Sequence, residues 1–251
     1  MKKYILYIII FNFFILANNE LAIVTKSKGL VQYKANDSNK FINSINSGLE
    51  LYNDDLLKTG NNGFVMFAYL DDGSLIKVHK DSEIYVTGKI DSKNINKRLN
   101  VNGGIFRFDV KEQKGDEFTV VTPSSVASVK GTDFIIDVSE NGDLFYGLDG
   151  LVEIVNKTSN KVVRLSKNNK VESSQSGILN QQTITKDDLL IIQQIETESE
   201  VDNIDQNNID PELDDNDSGM LDDSQQNIKE IRILVTNPSG DEKEIIIRYS
   251  E

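Results

Sequence analysis

Four groups of residues in this sequence have types and spacings that could do chemistry. The first is Gly131-Thr132-Asp133, preceded by Lys130. Successive backbone N–H groups around such a glycine can cradle an anion, with Lys130 or Asp133 as a further contact. The same residues also suit a structural turn: Gly131 takes a conformation other residues resist, while Thr132 and Asp133 hydrogen-bond it. The structural reading is preferred. A phosphate loop needs Gly-Lys-Ser/Thr after a glycine four residues earlier, and Lys130-Gly131 does not supply that order.

The second group is a single residue, His79, the only histidine. No Gly-x-Ser-x-Gly elbow accompanies it, so it is expected at the surface beside Lys80 and Asp81. The third, Asp214 to Gly219, resembles the start of a calcium loop, yet its twelfth position is Gln225 rather than the required glutamate. The fourth is the general stock of 40 acids, from which a hydrolytic carboxylate pair could be drawn. The absence of tryptophan speaks against a sugar cleft. With no cysteine, disulfides, thiol nucleophiles and zinc–thiolate sites are excluded. Neither catalytic residues, nor a metal site, nor a cofactor are expected.

The elements that hold these residues read as strands. Phe118 to Val121 is one, ended by Thr122-Pro123 because proline cannot donate to a ladder. After the small run Ser124–Ser128, Phe134, Ile136 and Val138 fall on one face of another strand and Asp137 on the other. Asn141-Gly142 marks a hairpin turn, and Gly150 opens a further strand. Upstream, Leu21–Val24, Gly29–Tyr33, Leu75–Val78 and Ser82–Thr87 read as strands. So do Lys97–Val101 and Ile105–Val110. Phe64 to Leu70 is continuously apolar, as for a strand covered on both faces. Lys161–Leu165 is read as the last strand. Short strands with Gly/Asn/Asp turns between them make an all-β domain over residues 21–175, either a sandwich or a wrapped β-roll or β-helix-like body.

The order of these blocks resembles the FecR domain family. The resemblance rests on Thr122, Pro123, Gly131, Thr132, Asp133, Phe134, Gly150, Val152 and Ile154, with Lys130 where the family usually has arginine. It extends upstream to Gly48, Leu51, Asp55, Leu57, Thr59, Gly60, Asp72, Gly73, Ser74, Ser82 and Ile84. The resemblance implies a wrapped fold without chemistry of its own. The best understood members relay an outer-membrane signal to a sigma factor. Only three residues precede the apolar N-terminal run here, which leaves no anti-sigma segment, so a periplasmic partner role is expected rather than direct sigma-factor control.

Lys2-Lys3 and the apolar run Tyr4–Ala17 read as an export signal over residues 1–17, and a retained anchor would be the only membrane contact. Removing them moves the net charge from −13 to −15, since two lysines are lost. No basic stripe exists for nucleic acid. Thr185 and Asp188 begin a short helix, 185–196, with Leu189, Ile192 and Ile195 on one stripe. Residues 196–223 hold twelve acids and no lysine or arginine, so 197–227 is expected to be a disordered linker. A hairpin follows over 228–250. Ile231, Ile233 and Val235, then Ile245, Ile247 and Tyr249, alternate with polar residues around the turn Asn237–Gly240. An isolated hairpin is marginal in water, so its apolar face calls for a protein partner, in cis or in trans. The function expected is an exported, periplasmic or extracellular, non-enzymatic binding or scaffolding protein. A signal-relay component is the alternative, and a carboxylate-pair carbohydrate hydrolase is a remote third.

Overall fold

The computed structural model describes residues 20–91, 94–113, 118–200, 228–236 and 242–250. Its first strands are β1 Ala22–Lys28, β2 Val31–Lys34, β3 Ile42–Asn43, β4 Glu50–Leu51, β5 Asp55–Thr59, β6 Phe64–Tyr69 and β7 Leu75–Val78. Then come β8 Glu83–Asp91, β9 Asn94–Val110, β10 Phe118–Val121, β11 Ser125–Ser139 and β12 Gly142–Asn156. The series continues with β13 Val162–Ser166, β14 Asn169–Ser173, β15 Leu179–Thr183 and the helix α1 Lys186–Glu200. Two strands, β16 Ile228–Thr236 and β17 Glu242–Ser250, close the order. The domain is all-β with one short helix, as the turn spacing requires.

Strands β1 to β15 make a single fifteen-stranded sheet, and three long strands fold it over on itself. The first half of β9 pairs with β8 and, in parallel, with β10. Its second half pairs with β7 and β11. Strand β12 follows β11 along both halves, then pairs β14 with its first half and β13 with its second. Two wings result. One carries β2, β5, β8 and β10, the other β1, β6, β7 and β14, and β9, β11 and β12 run through both. A single apolar core lies between them. Phe118 of the first wing meets Tyr69 and Phe108 of the second at ring-centroid distances of 5.8 and 6.3 Å. The fold is thus wrapped in its connectivity and sandwich-like in its core.

Crossing between wings needs local bends, and these alter several sequence expectations. Lys97–Val101 and Ile105–Val110 are one strand, β9, turned at Gly104 (φ 102°), where a Cβ would lie 2.1 Å from Ser82 Oγ. Gly150 does not open a strand. It sits within β12 at φ 75°, beside the register shift of β11 between Val129 and Thr132. A periodicity argument sees a glycine as an interruption, whereas here the ladder continues around it. Lys161–Leu165 is not the last strand, because β14 and β15 follow it. In β6 Phe64 and Val65 are both buried, and beyond them burial alternates: Phe67 and Tyr69 are buried, Met66 and Ala68 half-buried, and Leu70 is exposed.

Helix α1 is capped as expected. Thr185 N–H and Oγ1 donate to Asp188 Oδ2 at 2.7 and 2.6 Å, and Asp188 N–H donates to Thr185 Oγ1 at 3.2 Å. Its inward stripe differs from the one expected. Asp188, Ile192 and Ile195 turn toward the sheet, over Ile135 and Tyr146, while Leu189 is 55% exposed. The helix also continues through residues 197–200, which the linker was expected to include.

Residues 203–251 form a separate unit. Within it β16 and β17 are antiparallel, with Ile231 opposite Ile247 and Ile233 opposite Ile245. By that register Ile231, Ile233, Val235, Ile245, Ile247 and Tyr249 share one face. The export segment 1–17, residues 201–227 of the acidic linker and the turn 237–240 lie outside the described residues.

Candidate functional site

The motif residues singled out in the sequence do not converge on one place. Thr122 sits at the end of β10, where the first wing meets the start of β12. Its Oγ1 and Ser124 Oγ both donate short hydrogen bonds to Asp143 Oδ2, and Ser124 N–H adds a third at 3.3 Å. Ser125 N–H donates to Thr122 Oγ1 at 2.9 Å. Ser125 Oγ and Asn156 Nδ2 bond Ser173 Oγ at 2.7 and 2.8 Å. The Lys157 ammonium donates to the Thr122 carbonyl. Thr122, Ser124, Ser125, Asp143, Asn156 and Ser173 are all buried. Pro123, exposed between β10 and β11, ends one strand so that the chain can turn back over this cluster. Burial holds the Asp143 carboxyl above the ordinary carboxylate range, against the hydrogen bonds that favour its charged form. Its second oxygen, Oδ1, is buried without a hydrogen-bond partner.

Lys130 to Phe134 lie elsewhere, at the bend of β11. Thr132 Oγ1 donates to the Leu151 carbonyl at 3.0 Å, and Lys130, exposed, accepts Gln113 N–H on its carbonyl at 2.9 Å. Phe134 stacks on Phe108 at 4.9 Å. Asp133 receives Arg107 in a two-pronged pair, Nε to Oδ1 at 3.0 Å and Nη2 to Oδ2 at 2.7 Å. Arg107 also pairs with Glu196 of α1, which Lys77 Nζ holds at 3.0 Å. Although burial alone would raise it, these two cations keep the Glu196 carboxyl below its usual range. The chain Asp133–Arg107–Glu196–Lys77 therefore fastens the helix to the outer face of β9 and β11. The Asp133 carboxylate is committed to Arg107 rather than to the turn at Gly131, where the sequence pattern puts its hydrogen bond.

Two further groups were not anticipated. Lys97 is buried with its Nζ 2.7 Å from Asp71 Oδ2, 2.9 Å from Asp72 Oδ2 and 5.3 Å from the centre of the Tyr69 ring. It joins β9 of one wing to the β6–β7 turn of the other. His79, expected at the surface, is only 3% exposed and packs edge-on to Phe64 at 5.5 Å. Its N–H donates to the Ile105 carbonyl at 3.0 Å, and its own carbonyl accepts from Thr59 Oγ1. The β7–β8 turn tucks the ring under the wing, which no local pattern of charges could reveal.

One groove lined in part by acids, of about 290 Å³, lies on the outer face of β11, β12, β14 and β15. Asp137, Leu144, Lys170, Glu172, Asn180 and Gln182 contribute to its lining. Asp137, half-buried, is raised in pKa by desolvation. Pairing register bears on the carboxylate-pair idea. Asp137 lies opposite Leu144, whereas Asp143 lies opposite Val138 and shares the core-facing side with Phe145. Asp137 and Asp143 therefore project from opposite faces of one ladder, whereas Glu172, paired with Leu144 from β14, is on the same face as Asp137 with one strand between them. Among the described residues no group of three or more His, Asp or Glu is arranged to hold a metal ion. The calcium-like stretch 214–219 is outside the described residues.

Comparison with known proteins places residues 55–153 on the family model described as FecR protein. No curated protein matches the chain. Two solved structures of a candidate anti-sigma factor from Parabacteroides distasonis ATCC 8503 are similar at 16% identity, with TM-scores of 0.44 and 0.43. Each match covers 51% of this chain and 59% of the matched chain, so the likeness spans less than two thirds of that protein.

Proposed function

Taking residues 55–153 as a FecR domain, we propose that this protein is an exported, non-enzymatic binding module of the cell envelope or exterior. Its body is a rigid scaffold, and its C-terminal hairpin engages a protein partner. The observation that carries the reading is the register of β16 on β17, which lines up six apolar positions on one face of a two-stranded element. Two strands alone are marginal in water, so such a face is stabilised by covering it. The absence of chemistry is supported by how the buried and half-buried polar groups are used. Asp143, Asp133 and Lys97 are each engaged by neighbours that tie elements together.

A signal-relay role is the second reading, favoured by the FecR domain itself. One experiment addresses both. The tagged full chain, expressed in its native cells, is captured from envelope extract beside a form lacking residues 225–251. A partner enriched by the full chain and lost at least tenfold by the truncated form is expected. An envelope receptor or transmembrane regulator as that partner would favour the relay, and any other protein the scaffold. Equal capture by both forms would remove the hairpin from the proposal.

A further inference from the structure

A sheet folded in this way keeps open ends, and the four terminal strands are β3, β4, β13 and β15. Exposed edges invite pairing with another chain, and proteins blunt them with shortness, charge, proline or a bulge. Strands β3 and β4 are two residues each. Strand β13 carries Arg164 and is flanked by Lys161 and Lys167. Strand β15, Leu-Asn-Gln-Gln-Thr, is five residues long with no charge, proline or register break, and pairs only with β14. It is the unprotected edge.

Two backbone bonds fix which of its groups point outward. Ile184 N–H donates to the Asn168 carbonyl at 2.9 Å, and Ser174 N–H to the Ile178 carbonyl at 3.0 Å. Antiparallel pairs alternate between bonded and non-bonded. Ile178, Asn180, Gln182 and Ile184 therefore face β14 with their backbone groups. Leu179, Gln181 and Thr183 direct N–H and C=O away from the sheet.

We propose that β15 is the seat of a symmetric dimer, in which the same strand of a second copy pairs antiparallel to it about a two-fold axis at Gln181. The register is self-consistent. A two-fold through a residue whose backbone points outward makes Gln181 exchange both bonds with its counterpart, and Leu179 then exchanges bonds with Thr183 of the other copy. Side chains match as well. Asn180 meets Gln182 and Gln181 meets Gln181, amides able to donate and accept in either sense. Ile178, 48% exposed, comes opposite Ile184 at each end. No like charges face each other. The partner is a second copy rather than an arbitrary strand because the sequence is complementary to its own reverse. Helix α1 starts three residues beyond β15, and its Leu189 and Leu190 are 55% and 65% exposed.

The test is sedimentation of the purified full chain from about 1 μM to about 500 μM, a range suited to a small interface. A reversible monomer–dimer equilibrium is expected. Gln181→Pro removes an outward N–H and no bond to β14, so the monomer should keep its melting temperature. Dimerisation should weaken about tenfold or more, from the loss of two intermolecular bonds. Gln181→Lys sets like charges across the axis and should weaken it in a salt-dependent way, which serves if the proline variant misfolds. The sequence has no cysteine, so Gln181→Cys gives a clean probe. It should form an intermolecular disulfide under mild oxidation, while Arg164→Cys on β13 should not. A chain that stays monomeric throughout overturns the proposal. So does a dimer indifferent to both Gln181 substitutions, or one in which Gln181→Cys fails to cross-link.

Discussion

Asp143 shows how a single residue here serves the fold at an energetic cost. It organises Thr122 and Ser124 by accepting their hydrogen bonds, yet burial disfavours its charge and leaves Oδ1 without a partner. Its carboxyl titrates higher in the folded state than in the unfolded chain. The stability linked to it is therefore complete below the ordinary carboxyl range and declines as pH rises through the raised value. Asp143→Asn should flatten that decline, measured by urea unfolding between about pH 4 and about pH 8. Asp143→Ala should cost about 1–3 kcal/mol at low pH, since Thr122 and Ser124 lose their acceptor, and less as pH rises through the raised value. An alanine variant as stable as the parent would show the cluster to be incidental. This residue was open to a closer reading of the sequence: two positions before the inward Phe145, strand alternation already puts Asp143 inside. The same rule places Lys97 between Ile95 and Leu99. What alternation does not supply is the identity of the partners, which come from other strands.

Among the elements, the helix was the best specified locally, and its inward stripe follows expectation at Ile192 and Ile195 but not at Leu189. Thr185 and Asp188 announce its start through their own side chains, because a capping box involves only residues three apart. Which stripe faces inward depends on what lies beneath. An apolar choice of Leu189 lost to Asp188, which pairs with Lys170 of β14 at 2.8 Å, and to Glu196, which the cations of β7 and β9 hold. Arg107→Ala should release this docking. Because the pair is partly exposed and screened, the global loss should be about 1 kcal/mol. Amide exchange should quicken selectively in α1 while the β9 and β11 amides keep their protection. The Glu196 contribution has the opposite pH sense to Asp143: its lowered pKa gives stability present above the ordinary carboxyl range and lost as pH falls through it. Uniform exchange across helix and sheet would mean that the ion chain does not anchor the helix.

At the scale of the whole molecule the two wings are held by an apolar core and closed by polar latches, Thr122–Asp143 and Lys97–Asp71–Asp72. Replacing Lys97 with methionine keeps the volume but leaves two enclosed carboxylates without their cation. A loss of about 3 kcal/mol is expected. Hydrogen bonding from Lys97, set against the opposing effect of burial, keeps the Asp72 carboxyl low. In Lys97→Met the loss of stability on acidification should therefore shrink or reverse, and adding Asp71→Asn should restore part of what was lost. If Lys97→Met is neutral at pH 7, the wings do not depend on this latch.

The sequence by itself determined the strand content, the FecR motif order, the cap of α1 and the apolar face of the hairpin. Each follows from contacts within a few residues or from a period of two or 3.6 along the chain. Only the tertiary structure decided that β9, β11 and β12 pass through both wings, that His79 is buried, and that Asp133 and Asp143 end up in separate clusters. Those outcomes rest on pairings between residues as far apart as Lys77 and Glu196, and a linear pattern holds no record of which distant strand will supply the neighbour.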